Sequence, residues 1–435
     1  MSCLQYTFLY CPVGRSAVIF SEMKDNLYEV LSDHIGRLPV ISTHEHHLRD
    51  SDQNELTLEG IFEHSYVGWQ GIPVGNSKKE HAEFLDKARY NSYFIWLQKA
   101  LWGIYQVDSR ITADNWSELS EKIKTAHGNP DFHLRILREH CRYKAGLSDI
   151  YWDPGSDLGH PEIFKPVVRS DVFITCFHPD NRDHDGNSPW KFFTIKGLSF
   201  KEYVDFIIDF HRKKINAGAV AFKLATAYER TIGIQDSSFE KAARVYLTDP
   251  KEVHLSDKLA YGDYLIHRLC ELAGELNVPF QIHTGLGQLS GSNPLLIEPL
   301  IERYPQTKFV LFHGGYPWYH EIGALAHNHS NVLVDLVWLP LISTTAAVSA
   351  LHEYIEVVPS SDRIAWGSDS WTSEEAFGAL MAFQHVLASV LAQKVQSSYI
   401  GMEDAKDIAE KLMYRNARKI YNLASLNIPS QDPFL

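Results

Sequence analysis

The segment Val40–His46 (VISTHEH) runs from apolar, β-branched residues into two histidines, and related stretches recur three times further along the chain. In the later stretches an apolar run stops at a His or Asp that is followed by Thr, Gly or Ser. Strand ends that all carry metal-ligand side chains are what a (β/α)8 barrel needs to build a metal site at its C-terminal face. The three later stretches are Pro279–Gly285 (PFQIHTG), Lys308–Gly315 (KFVLFHGG) and Ile364–Ser370 (IAWGSDS).

Short apolar runs alternate with longer segments of helical periodicity. The runs are too short for helices and too continuously apolar for a sheet with one wet face, which is typical of parallel strands buried on both faces. We therefore predict an α/β fold, a (β/α)8 TIM barrel; an open doubly wound sheet is the alternative, and it would be long for one domain. The predicted strands are 39–44, 147–152, 172–177, 219–224, 279–283, 308–313, 332–337 and 364–368.

A long segment, about 47–146, separates the first predicted strand from the second. Its aromatic-rich part Phe84–Tyr105 has helical periodicity, so we expect a helical insertion over the barrel mouth. Its tryptophans either shape a pocket or pack the core of the insertion. The predicted organisation is an N-terminal extension (1–34), a metal-dependent barrel (35–425) that contains the insertion, and a C-terminal tail (426–435).

Composition narrows the class of protein. The formal net charge of the 435-residue chain is −13, spread along its length, which argues against nucleic acid or an anionic membrane surface as the main partner. No run of about 18 apolar residues occurs, so no membrane span is predicted. The five cysteines include no CxxC pair, which argues against a disulfide framework and favours a reducing, cytoplasmic location.

Five side chains are the candidate metal-binding and catalytic residues. His44 and His46 stand at positions i and i+2 of a strand, so both point to one face about 7 Å apart and can reach one ion. His283 and His313 end the fifth and sixth strands, and Asp369 ends the last. Each alone has an ordinary explanation, such as a core histidine or a helix cap. Their ordered occurrence at strand ends predicts a metal site.

The order THEHH, QIHTG, FHGG and GSDS resembles the amidohydrolase superfamily, specifically the branch of TIM-barrel metal-dependent hydrolases called amidohydrolase family 2. The resemblance covers most of the chain. That branch also contains decarboxylases of aromatic or dienoic acids, lactone hydrolases and domains fused to glutamine-synthetase-like proteins. Uronate isomerases are more distant relatives.

The resemblance implies a role for each motif residue. His44, His46, His283 and Asp369 match the metal ligands of the family. Asp369 also matches the aspartate that, in hydrolases, takes a proton from the nucleophilic water. His313 matches the histidine that, in single-metal members, orients or activates that water. Asp369 and His313 are therefore the expected catalytic residues.

Lys223 lies near the end of the fourth predicted strand, in AFKLATAY. In two-metal relatives a carboxylated lysine at this point bridges the ions, and many single-metal relatives lack it. Lys223 could instead bind a substrate carboxylate, with Arg230 as its partner, or simply reach water. The sequence leaves these three roles of Lys223 open.

The expected activity is metal-dependent hydrolysis of an amide, lactone or related bond in a small molecule. The expected cofactor is one divalent metal ion, for which zinc is the preferred candidate. If Lys223 is carboxylated, two ions are expected. Non-oxidative decarboxylation of a small unsaturated or aromatic acid is the alternative on the same site; sugar-acid isomerisation and a non-catalytic barrel are less favoured. A homodimer is expected by analogy with other barrels.

Overall fold

The computed structural model describes residues 27–107, 110–426 and 428. It contains one eight-stranded sheet in which the strands follow chain order and every neighbouring pair is parallel. The strands are β1 (Val40–Glu45), β2 (Tyr143–Ser148), β3 (Phe164–Arg169), β4 (Ala221–Leu224), β5 (Phe280–Ile282), β6 (Phe309–Leu311), β7 (Val332–Asp335) and β8 (Ile364–Ala365).

The backbone that follows β8 returns to β1. The Thr43 amide donates to the carbonyl of Trp366 at 3.2 Å, and the Asp369 amide donates to the carbonyl of His44 at 3.0 Å. Gly367 permits this approach, because a Cβ there would lie 2.6 Å from the His44 amide nitrogen. The predicted (β/α)8 barrel is therefore confirmed.

Two predicted strands were placed wrongly. β2 begins four residues before the predicted 147–152, because the charged Lys144 interrupts the apolar pattern at its start. The predicted third strand, 172–177, is mostly helix, and the true β3 lies earlier. β3 carries Lys165 and Pro166, residues that ordinarily count against a strand. Tertiary pairing with β2 and β4 overrides that local preference.

The long connection between β1 and β2 is helical. It has a buried cluster of its own, with Phe62, Phe84 and Trp116 in ring contact. A helix over 27–37 precedes β1 and is α1. The following helices are α2 (Asp50–Gln53), α3 (Leu58–Glu63), α4 (Lys78–Ala88), α5 (Ser92–Tyr105), α6 (Trp116–His127) and α7 (Phe132–Arg135).

The remaining helices surround the barrel. A capping box between Ser199 and Glu202 begins α10, and the Thr372 hydroxyl caps α17. These helices are α8 (Asp171–Thr175), α9 (Pro189–Phe192), α10 (Phe200–Asn216), α11 (Phe239–Val245), α12 (Leu255–Leu276), α13 (Glu298–Arg303), α14 (Tyr319–Asn328), α15 (Leu339–Ile342), α16 (Thr344–Val357), α17 (Ser373–Gln396), α18 (Met402–Glu410) and α19 (Asn416–Ile420).

Short helical turns complete the structure. Two are π-helical, Ile136–His140 and Lys411–Arg415. The 3₁₀ turns are Gly68–Gln70, Thr226–Tyr228, Leu289–Gly291, Pro294–Ile297, His313–Gly315 and Ser361–Arg363.

Helix α17 is, among the described residues, the helix long and apolar enough to cross a membrane, but 72% of its most apolar window is buried inside the protein. Such burial is ordinary for a core helix.

The predicted N-terminal extension lies outside the described residues up to residue 26, and the predicted tail does so at 427 and from 429. The domain limits stay predictions. Cys141, Cys176 and Cys270 are buried free thiols.

Candidate metal centre and its cavity

The C-terminal ends of β1 and β8 bring three donor atoms together. The Nε2 atoms of His44 and His46 are 3.2 Å apart, and they lie 3.4 and 3.3 Å from the Oδ1 atom of Asp369. All three side chains are at most 10% exposed. Zinc bonds of 2.0–2.2 Å in a tetrahedron place donor atoms about 3.3 Å apart. The three donors therefore fit a divalent zinc-like ion in type and in spacing.

The surroundings of His46 fix which nitrogen can bind an ion. Its Nδ1 lies 2.7 Å from the backbone carbonyl of Asp149, which can only accept, so Nδ1 carries the proton and Nε2 presents a lone pair. Burial opposes a charge on this ring, but the carboxylates of Asp369 and Asp149 raise the pKa of His46 above its ordinary value. An ion must displace a proton here, so its affinity rises with pH.

His283 and His313 form a second pair of donors. The His283 Nε2 donates to the carbonyl of Leu286, and the His313 Nδ1 faces the carbonyl of Val337 at 3.2 Å. The other two nitrogens, His283 Nδ1 and His313 Nε2, are 2.9 Å apart. Burial lowers the pKa of both rings well below the ordinary value. Two neutral rings in these tautomers direct their lone pairs at each other, an arrangement that a cation bound between them would relieve.

These five side chains, His44, His46, His283, His313 and Asp369, are called the metal cluster below. His313 and Asp369 both have left-handed backbone, with φ of 64° at each. Such a conformation is uncommon for residues other than glycine and is held only where surrounding contacts enforce it. The Oδ2 of Asp369 lies 3.7 Å from the His313 Nδ1, so this carboxylate faces both histidine pairs.

Lys223, on β4, presents its side chain to the same cavity. Burial lowers the pKa of Lys223 to about 8, and Nζ lies 3.7 Å from the centre of the Phe312 ring. Among the described residues no carboxylate lies within ion-pairing distance of Nζ. The cavity therefore has an unpaired amine on its floor, a group that can pair with an anion or, as the neutral amine, react with carbon dioxide.

Arg169 is a cavity residue that the sequence did not identify. It ends β3, the strand that was placed wrongly, and its guanidinium pairs with Asp149 at 2.8 Å, with Asp171 at 2.6 Å and with Asp185 at 3.2 Å. Asp149 also lies with His44 and His46 in a group whose donor atoms are within 4.8 Å of one another. The signal that could have found both residues was their position at or directly after strand ends.

The structure does not bring Arg230 to the metal cluster. The Arg230 side chain is buried, pairs with Asp263, and donates to the carbonyl of Leu259 at 3.1 Å. It does not line the central cavity. The Arg230 guanidinium is engaged with α12, and the expectation that it accompanies Lys223 in binding substrate stays a prediction.

The cavity above the metal cluster has a volume of about 630 Å³. Its rim is aromatic: Trp69 is 55% exposed, and its ring centre lies 5.2 Å from that of Trp371, which stacks on His46. Tyr66 and Trp69 come from the predicted insertion, so the insertion does contribute to the pocket. The cavity wall, as we use the term, comprises Tyr66, Trp69, Tyr151, Arg169, His184, Asp185, Tyr228 and Trp371.

Comparison with known sequences identifies the same family as the motifs. The family model described as amidohydrolase matches residues 225–423, a range that includes His283, His313 and Asp369. The protein fluG of Emericella nidulans is 31% identical over 222 residues, which cover 47% of this chain and 26% of that protein. This chain thus spans about a quarter of the length of its curated relative.

Solved structures share the fold at low identity. A protein assigned as a metal-dependent hydrolase from Lactobacillus casei is 18% identical with a TM-score of 0.68, over 92% of this chain and 99% of that one. The uronate isomerase of Thermotoga maritima is 16% identical with a TM-score of 0.71, over 91% and 97% of the two chains. Glucuronate isomerase from Caulobacter crescentus is 16% identical with a TM-score of 0.68, over 96% of each. Sequence match, barrel and strand-end motifs agree, and the resemblance to the amidohydrolase superfamily is confirmed.

Proposed function

We propose that this protein is a metal-dependent hydrolase that cleaves an amide, lactone or related bond in an anionic small molecule. The observation that carries the proposal is the set of three buried donor atoms, from His44, His46 and Asp369, spaced 3.2–3.4 Å apart at the mouth of the barrel. Imidazole and carboxylate ligands in this spacing suit zinc, and a three-ligand site leaves a position open for substrate or water.

The residues that would hold the ion are His44, His46 and Asp369, with His283 beside them. A divalent ion in this site would supply Lewis acidity and lower the pKa of water from 15.7 toward about 7. Asp369 would act as general base, since only its Oδ1 lies against the two Nε2 atoms, while its Oδ2 is 3.7 Å from the His313 Nδ1. It would accept the proton of the attacking water and return it to the leaving group.

His313 would position that water, because the lone pair of its Nε2 can accept a hydrogen bond from it. Its backbone conformation and the 3.2 Å contact of Nδ1 with the Val337 carbonyl fix the ring, so that Nε2 is directed toward His283. A positioned donor or acceptor that does not reorganise during the reaction is worth several kcal/mol to a transition state.

Lys223 is proposed to pair with a carboxylate of the substrate. Its Nζ faces the cavity without an ion pair from the described residues, so a substrate anion would supply the missing partner. Arg169 cannot do this as freely, because three carboxylates already surround it. The carboxylated form of Lys223 is the alternative, and it would bring a second ion to His283 and His313.

The zinc contents of the wild type and of a Lys223→Met variant separate the two forms, because only a carboxylated lysine predicts that this substitution removes an ion from the central site. The activity is tested by loading the protein with zinc, manganese or iron and screening acylated amino acids, lactones, aromatic acids and uronates. Hydrolysis that disappears in a His44→Gln/His46→Gln variant supports the proposal. Release of carbon dioxide or aldose–ketose conversion without hydrolysis would refute it in favour of a decarboxylase or an isomerase.

A cytoplasmic location, a homodimer and the lack of nucleic-acid or membrane partners stay predictions from composition and analogy. Light scattering of the purified protein tests the dimer directly.

A further inference from the structure

A second group of metal-ligand side chains lies outside the central cavity. It consists of Asp50, His133 and His160, whose donor atoms all lie within 4.8 Å of one another. The Asp50 carboxylate is 3.2 Å from the His133 Nε2 and 2.9 Å from the His160 Nε2. From this grouping we propose that the protein has a further binding site for a transition-metal dication, zinc by ligand type, that fastens the insertion to the rim of the barrel.

The three ligands come from three separate parts of the chain. Asp50 begins α2 directly after β1, His133 lies on α7 at the end of the insertion, and His160 lies in the loop between β2 and β3. An ion held by all three would join the beginning of the insertion, its end and a barrel loop. Cross-links between distant segments stabilise the folded state most, because they restrict the unfolded chain most.

The chemistry of the group suits zinc. Two imidazoles and one carboxylate, with an open position for water, form a three-ligand set that zinc accepts. The His133 side chain is 4% exposed and that of His160 is 16% exposed, while that of Asp50 is 48% exposed.

The position of the group links it to the active-site mouth. Asp50 lines a second cavity of about 600 Å³, through which an ion can reach the group from solvent. Arg49 and Trp152 line both this cavity and the central one. Fixing Asp50 would therefore fix Arg49, which stands at the rim of the central cavity.

The test counts zinc in the full-length chain after dialysis against zinc and removal of the loosely bound ion. We expect His160→Gln and Asp50→Asn each to lose about one equivalent relative to the wild type. His320→Gln, which alters an exposed histidine paired with Glu353, serves as the matched control and should lose none. Equal zinc in the wild type and His160→Gln, or an equal loss in His320→Gln, would overturn the site.

The central site is removed to keep the two proposals distinguishable. A His44→Gln/His46→Gln variant should keep the zinc of the new site, gain a higher midpoint of thermal unfolding when zinc is added, and lose that gain when His160→Gln is also present. Retained zinc without hydrolysis would support the new site whatever becomes of the proposed activity. If His160→Gln fails to fold, Asp50→Asn replaces it, because that change keeps the shape of a half-exposed side chain.

Discussion

The metal cluster and the cavity wall were built in different ways. The cluster comes from the ends of strands β1, β5, β6 and β8: His44 is the penultimate residue of β1, and the other four residues lie within four residues after the end of their strand. The wall comes largely from loops and from the insertion, and one of its residues, Arg169, is held by the carboxylates of Asp149, Asp171 and Asp185. The barrel strands therefore fix the residues of the metal cluster, whereas substrate selectivity is left to the loops and the insertion, which can vary.

The largest effect should follow from a change in the metal cluster. We expect His44→Gln to lose the central ion and to lower kcat/KM by on the order of 10⁴, since an ion's stabilisation of the transition state is worth several kcal/mol. Zinc content and the rate of hydrolysis of the substrate found by screening are the measurements. His327→Gln, at an exposed histidine, should change neither. Full zinc content in His44→Gln would break the assignment of the cluster.

Among changes to the cavity wall, we expect the largest effect from Arg169→Met, which should lower the free energy of unfolding. Arg169→Met leaves Asp149, Asp171 and Asp185 without their shared cation, and removing one partner from a buried network costs about 3–5 kcal/mol. Urea unfolding measures the loss. Arg212→Met, which breaks the exposed pair with Glu275, is the control and should change the free energy of unfolding little. A similar loss in both variants would mean that burial of the network is irrelevant.

Lys223 should give the zinc-free protein a pH-dependent stability. Burial lowers the pKa of Lys223 from 10.5 to about 8, so between these values the unfolded chain holds a proton that the folded protein has released. The free energy of unfolding should therefore rise with pH from about 8 to 10.5, by up to about 3 kcal/mol.

Urea unfolding at several pH values measures this slope. Lys223→Met should remove the rise, and Lys196→Met, at an exposed lysine, should leave it unchanged. A free energy that falls over this range in the wild type would contradict the buried, neutral form of Lys223.

The smallest effect should come from the rim. Trp69→Ala removes an exposed ring beside Trp371, and one aromatic contact with substrate is worth about 0.5–1.5 kcal/mol. We expect KM to rise by roughly three- to tenfold with kcat and zinc content unchanged. Tyr90→Ala, at an aromatic residue 78% exposed outside the cavity, is the control. A fall in kcat instead would place Trp69 with the chemistry rather than with binding.

The sequence predicted the barrel and grouped the five residues of the metal cluster at strand ends, which the structure brings together. The predicted position of β3 was wrong, because Lys165 and Pro166 are unusual in strands. This strand forms through pairing with its neighbours. Arg169 was missed for the same reason. Arg230 was expected at the site because it follows β4, but Asp263 on α12 holds it elsewhere.

The order of the motifs along the chain was enough to place several ligands on one rim. Parallel strands in a closed barrel end on the same face, so a ligand at a strand end can lie nowhere else. Long-range packing sets which charges pair around the cavity, which aromatic rings form its rim, and that Asp50, His133 and His160 lie together outside it. Those contacts join residues on loops and on the insertion, whose paths depend on packing between distant segments rather than on local periodicity.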